Sequence, residues 1–311
     1  MQTLSVRDML DEPYRDERLD TLRTRFDLEI DNLRPTTYGH YTPSQIKEHY
    51  DIETELAAKL MSAPKAERAG LYTQLYDELF SRVPYHPGLA RKSSSAERIA
   101  AANQSLPFVE RFLRPDSAYL EVGPGDCQLA FEVAKRVRSV YGVDVSTEVT
   151  KRSDAPSNFQ LIISDGTSID VPEESIDIAF SNQLMEHLHP DDAEEQLRGI
   201  YRALKPGGYY LCVTPHRFLG PSDVSRFFSD SPKGFHLKEY THAELRNLFR
   251  TAGFRRIQVP VEAKSMMVKL SQFPSLIAER LLANLEHGKR RSLCSGRLIG
   301  RLISLRVIAR K

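Results

Sequence analysis

Short apolar runs alternate with longer segments of helical spacing in the part of the chain that follows residue 116. Apolar runs of four to eight residues are typical of buried strands, and strands that alternate with helices are typical of a parallel sheet covered on both faces. The pattern therefore predicts an α/β core. The predicted strands are 118–122, 139–144, 159–163, 175–181, 207–214 and 254–261. The clearest predicted helices are 126–138, 191–204 and 241–252.

Before residue 115 the apolar positions recur at helical spacing only. A capping box of Thr42 and Gln45, with Pro43 at the first helical position, predicts where one helix begins. Further helices are predicted at 66–80 and 96–113.

This contrast divides the chain into a helical cap, residues 1–115, and a core, residues 116–311. Within the core, residues 262–303 are predicted to be a helical insertion, because apolar residues recur there at helical spacing. Several aromatic and histidine side chains in the breaks between cap helices could line a substrate pocket, although ordinary packing of the cap is the favoured interpretation. They are Tyr38, His40, Tyr41, Tyr85 and His86.

Composition narrows the class of protein only slightly. The 311 residues carry a net charge of +1, which gives no overall electrostatic reason to expect nucleic acid as a partner. The three cysteines, at 127, 212 and 294, have neither metal-site nor disulfide spacing. The charged N-terminal segment does not resemble a signal peptide. We therefore expect a cytoplasmic protein.

The candidate binding chemistry starts at residues 119–126, which read YLEVGPGD. Gly123 and Gly125 have no Cβ atom, so a ligand can approach the main chain where the first strand turns towards a helix. A dinucleotide fingerprint would need a third small residue at position 128, where the chain has Gln128. A nicotinamide oxidoreductase is therefore disfavoured. Asp144 ends the second strand and is placed to accept both hydroxyls of a ribose.

These residues resemble the first motif of class I S-adenosylmethionine-dependent methyltransferases, in which an acid precedes a Gly-x-Gly turn, as Glu121 does here. The segment LKPGG at 204–208 is also frequent in that class. The resemblance implies a Rossmann-like, mostly parallel sheet of seven strands, with residues 304–309 as a seventh strand that pairs antiparallel with the sixth in a hairpin. It implies S-adenosylmethionine as the cofactor.

The same resemblance assigns further cofactor contacts. Asp165 and Gly166 follow the third strand, where members of the class place an acid against the amine of adenine; a plain turn is the alternative. Asn182 ends the fourth strand, where the class contacts the methionine part of the cofactor.

Methyl transfer to oxygen calls mainly for alignment and for a base that takes the acceptor proton. His216, directly beyond the fifth strand, is our first candidate for that base. His187, in the segment EHLHP, is the second, although it could instead brace the cofactor loop. His189, next to a proline, is predicted to begin a helix.

A metal-dependent site is an alternative that we weigh and do not adopt. Some small-RNA and quinone-precursor methyltransferases that this region resembles bind a divalent ion through Glu-x-x-Glu-His, with a later histidine in the RNA enzymes. Glu186, His187 and His236 fit part of that pattern, but Gln183 replaces the first acid, and an amide is a weaker ligand for a hard cation. The predicted site therefore contains no metal.

Basic residues dominate the C-terminal region. After Gly288 the chain has no acidic residue, and such a segment could contact anionic lipid, a phosphorylated carrier or nucleic acid. On a helical wheel Arg306 and Arg310 fall opposite Arg297 and Arg301, so the spacing favours a solvated lid or an oligomer contact over a membrane-lying face. The basic residues are Lys289, Arg290, Arg291, Arg297, Arg301, Arg306, Arg310 and Lys311.

We predict methyl transfer to a hydroxyl of a small molecule, such as a sugar or a lipid-linked glycan intermediate. The choice of acceptor follows a resemblance of EHLHP and GFHLKEYT to uncharacterised bacterial methyltransferases. We expect no nucleic acid as a partner, and a homo-oligomer remains open. The alternatives are RNA or protein methylation, which the basic region would serve, and a non-catalytic cofactor-binding scaffold, which the intact motif residues disfavour.

Overall fold

A computed structural model describes residues 41–89, 95–145, 154–263 and 266–311. Within these residues the chain forms one sheet of eight strands, in the order β3-β2-β1-β4-β5-β8-β6-β7. Strands β1 to β5 are parallel, and β8 lies antiparallel between β5 and β6. The strands are β1 (Ala118–Val122), β2 (Ser139–Asp144), β3 (Phe159–Ile163), β4 (Ile176–Asn182), β5 (Leu204–Val213), β6 (Arg256–Ala263), β7 (Met266–Ser271) and β8 (Arg306–Arg310).

Helices cover both faces of this sheet, as the alternating pattern predicted. One face packs against cap helices through Leu56 and Leu75, while the other packs against Phe108 and Phe131. Strand β1 is buried on both sides, as is usual for the centre of a parallel sheet. The described helices are α1 (Pro43–Ser62), α2 (Lys65–Arg82), α3 (Ser95–Glu110), α4 (Gln128–Ala134), α5 (Pro190–Ala203), α6 (His242–Thr251), α7 (Phe273–Leu282), α8 (His287–Ser295) and α9 (Arg297–Ile303).

Helix starts follow the local sequence closely. The predicted capping box of Thr42 and Gln45 is formed at α1, and His189 caps α5 by accepting a hydrogen bond from the backbone N–H of Asp191. These side chains satisfy backbone donors that the first turn of a helix leaves unpaired.

The Rossmann-like α/β fold and the antiparallel pairing of the last strand with the sixth are confirmed, with three differences. The sheet has eight strands instead of seven, because β7 extends the sheet beyond β6 inside the segment predicted to be wholly helical. The hairpin is therefore formed by β6 and β7, and β8 returns later to lie between β5 and β6. Helix α4 is shorter than predicted, since the left-handed Cys127 delays its start.

Two sequence predictions are only partly covered by the described residues. Tyr38 and His40 lie outside them, as does most of the segment before α1. The cap and core boundaries stay a prediction. None of the described helices is long and apolar enough to cross a lipid bilayer.

Candidate functional site

The turn after β1 has the backbone that a close ligand approach requires. Gly123 and Gly125 have φ angles of +68° and +57°, in the left-handed region that glycine favours. A Cβ atom on Gly123 would lie 2.9 Å from the side chain of Leu184, whereas a Cβ on Gly125 would meet no atom within 4 Å. The two positions therefore differ in what a side chain would meet: Gly123 is packed against Leu184, and Gly125 borders open space.

Carboxylates of the first two strands meet at this turn. The backbone N–H of Gly125 donates to Oδ2 of Asp144 at 3.2 Å, so the ribose candidate and the glycine turn are in direct contact. Glu121 is buried in β1, and the Tyr119 hydroxyl lies 3.3 Å from its Oε2. Burial, with the charges of Asp126 and Asp144, raises the pKa of Glu121 to about 8.

The loop after β3 places Asp165 and Gly166 beside the cap. Oδ1 of Asp165 accepts hydrogen bonds from its own turn, at Thr167 and Ser168, and these bonds hold the pKa of Asp165 below its usual range despite partial burial. Gly166 has a φ of +98°, and a Cβ atom there would lie 2.8 Å from the ring of Tyr72 in α2. The predicted adenine loop is thus a tight turn covered by a cap helix.

The predicted cofactor residues lie at the carboxyl ends of the parallel strands, along one side of the sheet. Residues that end or follow β1, β2, β3 and β4 are adjacent there because the carboxyl ends of parallel strands share that edge. Asn182 is exposed at the end of β4, next to the left-handed Gln183. The edge therefore offers acids, an amide and an open glycine turn to a nucleoside.

Beyond β4 a second group of residues comes together, which we call the histidine–glutamate cluster: Glu186, His187 and His236. One ligand atom from each lies within 4.8 Å of the others. Glu186 is fully buried, and its Oε2 accepts a hydrogen bond from Thr214 at 2.8 Å. The rings of His187 and His236 meet edge to face, with centroids 4.9 Å apart.

Each histidine of the cluster is oriented through its Nδ1 atom. Nδ1 of His187 lies 2.9 Å from the carbonyl oxygen of Phe235, and Nδ1 of His236 lies 2.8 Å from Oε1 of Glu239. A carbonyl and a carboxylate oxygen accept hydrogen bonds, so both Nδ1 atoms carry hydrogen. In a neutral ring this leaves the lone pair on Nε2. His187 can therefore present Nε2 as a base or a ligand, and His236 can present Nε2 as a ligand once its ring has lost a proton.

Burial and charge act in opposite directions within the cluster. Burial raises the pKa of Glu186 to about 7, although the charge of His236 and the Thr214 bond oppose that rise. Burial also lowers the pKa of His187 below its ordinary value. Burial disfavours the charged form of His236 too, but the bond to Glu239 and the nearby acids raise its pKa to about 9.

The cluster fits a divalent cation better than the sequence suggested. Two imidazoles and a carboxylate with an unpartnered buried oxygen, Oε1 of Glu186, form a suitable ligand set. The Nδ1 bonds to Phe235 and Glu239 are the outer contacts that ligand histidines usually make. Gln183, which replaces an acid in the sequence pattern, is exposed and does not belong to the group of three.

His216 lies elsewhere, buried at the end of β5. Its Nε2 is 2.7 Å from Oε1 of Glu279 in α7, and its Nδ1 accepts from the backbone N–H of Phe218 at 3.0 Å. Both ring nitrogens are thus engaged by the protein, which favours a structural role over proton transfer from an acceptor. His187 remains the candidate base, and the catalytic assignments of both histidines stay predictions.

Sequence reasoning missed a second polar group, which lies within the cap. His49 and Glu53 lie one turn apart on α1, and the Nε2 atoms of His49 and His86 are 3.5 and 3.9 Å from Oε1 of Glu53. The backbone N–H of Gly88 donates to Nδ1 of His86, so Nε2 of His86 carries hydrogen and faces the carboxylate as a donor. Spacing of four residues was the available signal for His49 and Glu53, whereas His86 was named only as a possible pocket residue in a break between cap helices.

Comparison with known proteins was consistent with this geometry. Residues 120–212 match the family model described as a methyltransferase domain. The chain is 33% identical over 172 residues to the "Probable S-adenosylmethionine-dependent methyltransferase" of Mycolicibacterium smegmatis, covering 54% of this chain and 62% of that protein.

Two other relatives differ in the acceptor that their names give. Phosphoethanolamine N-methyltransferase 1 of Triticum aestivum is 32% identical over 97 residues, 29% of this chain and 20% of that protein. The tRNA N(3)-cytidine methyltransferase of Danio rerio is 25% identical over 221 residues, 64% of this chain and 62% of that protein. The chain thus spans less than two thirds of each of these three relatives. The expectation that nucleic acid is not a partner gains no support from them.

Proposed function

We propose that this chain, a class I S-adenosylmethionine-dependent methyltransferase by its fold and its matched domain, transfers the methyl group to a hydroxyl of a small molecule. The histidine–glutamate cluster carries the proposal. Two of its residues, Glu186 and His187, follow β4 within a few residues of Asn182, the position expected at the methionine part of the cofactor. An oxygen acceptor must lose a proton as it attacks the methyl carbon, and the cluster holds groups able to take it.

His187 is the residue that we assign to this proton. It is half-buried, and its lowered pKa keeps the ring neutral at physiological pH. With Nδ1 held by the carbonyl of Phe235, Nε2 has the lone pair that accepts the hydroxyl proton. The remaining requirement is alignment of the acceptor oxygen with the methyl group and the sulfur, which is a matter of positioning.

The sugar or lipid-linked glycan suggested by the sequence stays our first acceptor class. An amine acceptor is the second candidate, because one relative is named as a phosphoethanolamine N-methyltransferase. An amine that attacks in its neutral form also releases a proton, so the same base would serve it. The acceptor therefore has to be identified by the product.

A metal-assisted form of the same reaction is supported by the ligand set. Glu186, His187 and His236 would hold a divalent cation, which would bind acceptor oxygens and favour their deprotonation. Calorimetric titration with Mg²⁺, Mn²⁺ and Zn²⁺ tests this apart from turnover. Binding that is lost in His236→Ala and kept in His49→Ala supports the cation. Absence of binding, with turnover unaffected by EDTA, contradicts it and leaves His187 alone as the base.

The first test is calorimetric titration of the full chain with S-adenosylhomocysteine, with NAD in parallel. We expect the homocysteine nucleoside to bind and NAD not to. Labelled S-adenosylmethionine is then offered with sugar, lipid-linked glycan, amine and RNA acceptors, and mass spectrometry identifies the methylated atom. Methyl on a hydroxyl oxygen supports the proposal, whereas methyl on nitrogen or on RNA replaces it. Binding without transfer to any acceptor would favour the scaffold alternative.

A further inference from the structure

Helix α7 carries large apolar side chains on its exposed face. Phe273, Ile277 and Leu281 recur every four residues and therefore share one face. That face points to solvent: Phe273 is 67% and Leu281 is 72% exposed. The opposite face, which is buried, includes the carboxylate of Glu279.

The buried carboxylate fixes this orientation. Glu279 is 5% exposed and accepts hydrogen bonds from the His216 ring and from the backbone N–H groups of His242 and Ala243, which begin α6. If α7 were rotated about its axis so that the apolar face packed inward, the carboxylate would lose these donors. The hydrogen bonds therefore keep the apolar face towards solvent. Large exposed apolar side chains that are grouped on one face mark an interaction site.

The neighbouring helices add more exposed apolar side chains and an excess of positive charge. Helices α7, α8 and α9 pack together around Cys294 and Ile303, and we call residues 273–303 the three-helix unit. Leu298 is 79% exposed in the same unit. Its acidic residues are Glu279 and Glu286, of which the first is buried. Its basic residues are Arg280, Lys289, Arg290, Arg291, Arg297 and Arg301.

We propose that the three-helix unit docks on the surface of an anionic lipid bilayer. The apolar face of α7 would enter the boundary between headgroups and acyl chains, and the cations would meet lipid phosphates. The positive charge of the unit distinguishes between two possible partners. A second copy of the chain would bring a second positive unit against the first and be repelled, whereas an anionic bilayer has the complementary charge. None of the described helices is long and apolar enough to span the bilayer, so the contact is interfacial.

The test is flotation of the full chain with vesicles of phosphatidylcholine, with and without about one third phosphatidylglycerol. We expect binding to the anionic vesicles, weaker binding to the neutral ones, and a decrease as salt increases. Leu281→Gln should reduce the fraction bound at least fivefold. Ile99→Gln, which changes an exposed apolar residue of α3, is the matched control and should leave binding unchanged.

A second pair of variants tests the charge. Arg297→Gln with Arg301→Gln should reduce binding and its dependence on salt, whereas Arg250→Gln, an exposed arginine of α6, should not. All these positions are exposed, so the variants should unfold at the temperature of the wild type. The proposal fails if the chain does not bind anionic vesicles, or if Leu281→Gln binds them as the wild type does. It also fails if that variant converts a dimer to a monomer in gel filtration, because the face then joins two copies.

Discussion

Asp144 has a contact that the structure shows and a role that stays a prediction. Its carboxylate accepts from the Gly125 backbone at the end of β2, and this end of the strand is where a ribose would be bound. The spacing along the chain suggested the ribose role of Asp144, but it did not predict the contact with Gly125. The aspartate therefore connects the glycine turn with the nucleoside that the turn would admit.

Replacing Asp144 with alanine should lower the affinity for S-adenosylhomocysteine by about 10- to 100-fold. Hydrogen bonds to a charged group contribute about 1.5–3 kcal/mol, and each 1.4 kcal/mol corresponds to a tenfold change. Calorimetric titration measures the affinity, and circular dichroism checks that the fold survives. Asp51→Ala, on the exposed side of α1, is the control. Unchanged affinity in Asp144→Ala would assign the ribose to another residue.

Gly166 should tolerate no side chain, for two separate reasons. Its φ of +98° is strained for other residues, and a Cβ atom would contact the Tyr72 ring at 2.8 Å. We expect Gly166→Ala to lower the free energy of unfolding by about 1–3 kcal/mol. Urea unfolding measures it. Gly288→Ala is the control, because no atom lies within 4 Å of its Cβ position; stability lost equally in both variants would exclude steric contact with the cap as the cause.

At the scale of elements, helices and turns were predicted well where they depend on hydrogen bonds and backbone angles within a few residues. The capping box at Thr42, the proline after His189 and the glycine turn after β1 were all predicted and are all present. Strand β7 was missed because its residues have no clear alternation and because, among the described residues, β6 is its only strand partner at the edge of the sheet. A strand of this kind is defined by its neighbour more than by its own residues.

The histidine–glutamate cluster could be predicted only in part, for a related reason. Glu186 and His187 are adjacent in sequence, but His236 lies about 50 residues later and joins them through the return of the loop 217–235. Contacts among the cap residues likewise depend on how α1 packs against the rest of the cap, which the sequence pattern does not show. Residue type suggested which histidines matter, whereas packing determined which of them meet.

Glu279 makes the attachment of α7 dependent on pH. Burial opposes its charge, but the bonds from His216 and His242 outweigh burial and lower the pKa of Glu279 below 4.5. A lowered carboxyl pKa stabilises the folded state above the unfolded pKa, and the stabilisation is lost as pH falls through the folded pKa. Glu279→Gln should therefore cost about 2 kcal/mol at neutral pH, the scale of a charged hydrogen bond.

Urea unfolding of wild type and Glu279→Gln at several pH values between about 7 and 3 measures this dependence. The difference between them should shrink below about pH 4.5, where the unfolded carboxyl is protonated. Glu286→Gln, an exposed acid between α7 and α8, should show no such convergence. A constant difference across the range would mean that the charge of Glu279 does not stabilise α7.

At the scale of the whole molecule, the cap and the core share the candidate cofactor site. Helix α2 places Tyr72 over Gly166, and the Thr73 hydroxyl donates to the carbonyl of Val145, the residue after Asp144. The same helix is fixed to α5 by a buried ion pair, in which Arg68 donates twice to Asp192 at 2.7 and 2.8 Å. The Tyr72 hydroxyl donates to the same carboxylate. Asp192 thus positions a helix that covers both loops predicted to bind the nucleoside.

Because of this connection, Asp192→Ala should weaken S-adenosylhomocysteine binding although Asp192 lies outside the nucleoside loops. Removing one partner of a buried pair leaves an uncompensated charge and costs about 3–5 kcal/mol, part of which would appear as opening of α2. We expect the affinity to fall roughly tenfold, because part of that free-energy cost would reduce the free energy of nucleoside binding. Hydrogen exchange in residues 65–82 should become faster.

Glu195→Ala is the matched control, because Glu195 pairs with Lys65 at 2.6 Å between the same two helices but at the surface. An exposed pair contributes about 0–1 kcal/mol, so this variant should bind the nucleoside as the wild type does. Faster exchange in α2 of Asp192→Ala with unchanged nucleoside affinity would show that cap and cofactor site are independent. A loss of affinity with the slow exchange preserved would instead place the effect of Asp192 in the core, since α2 would then have stayed closed.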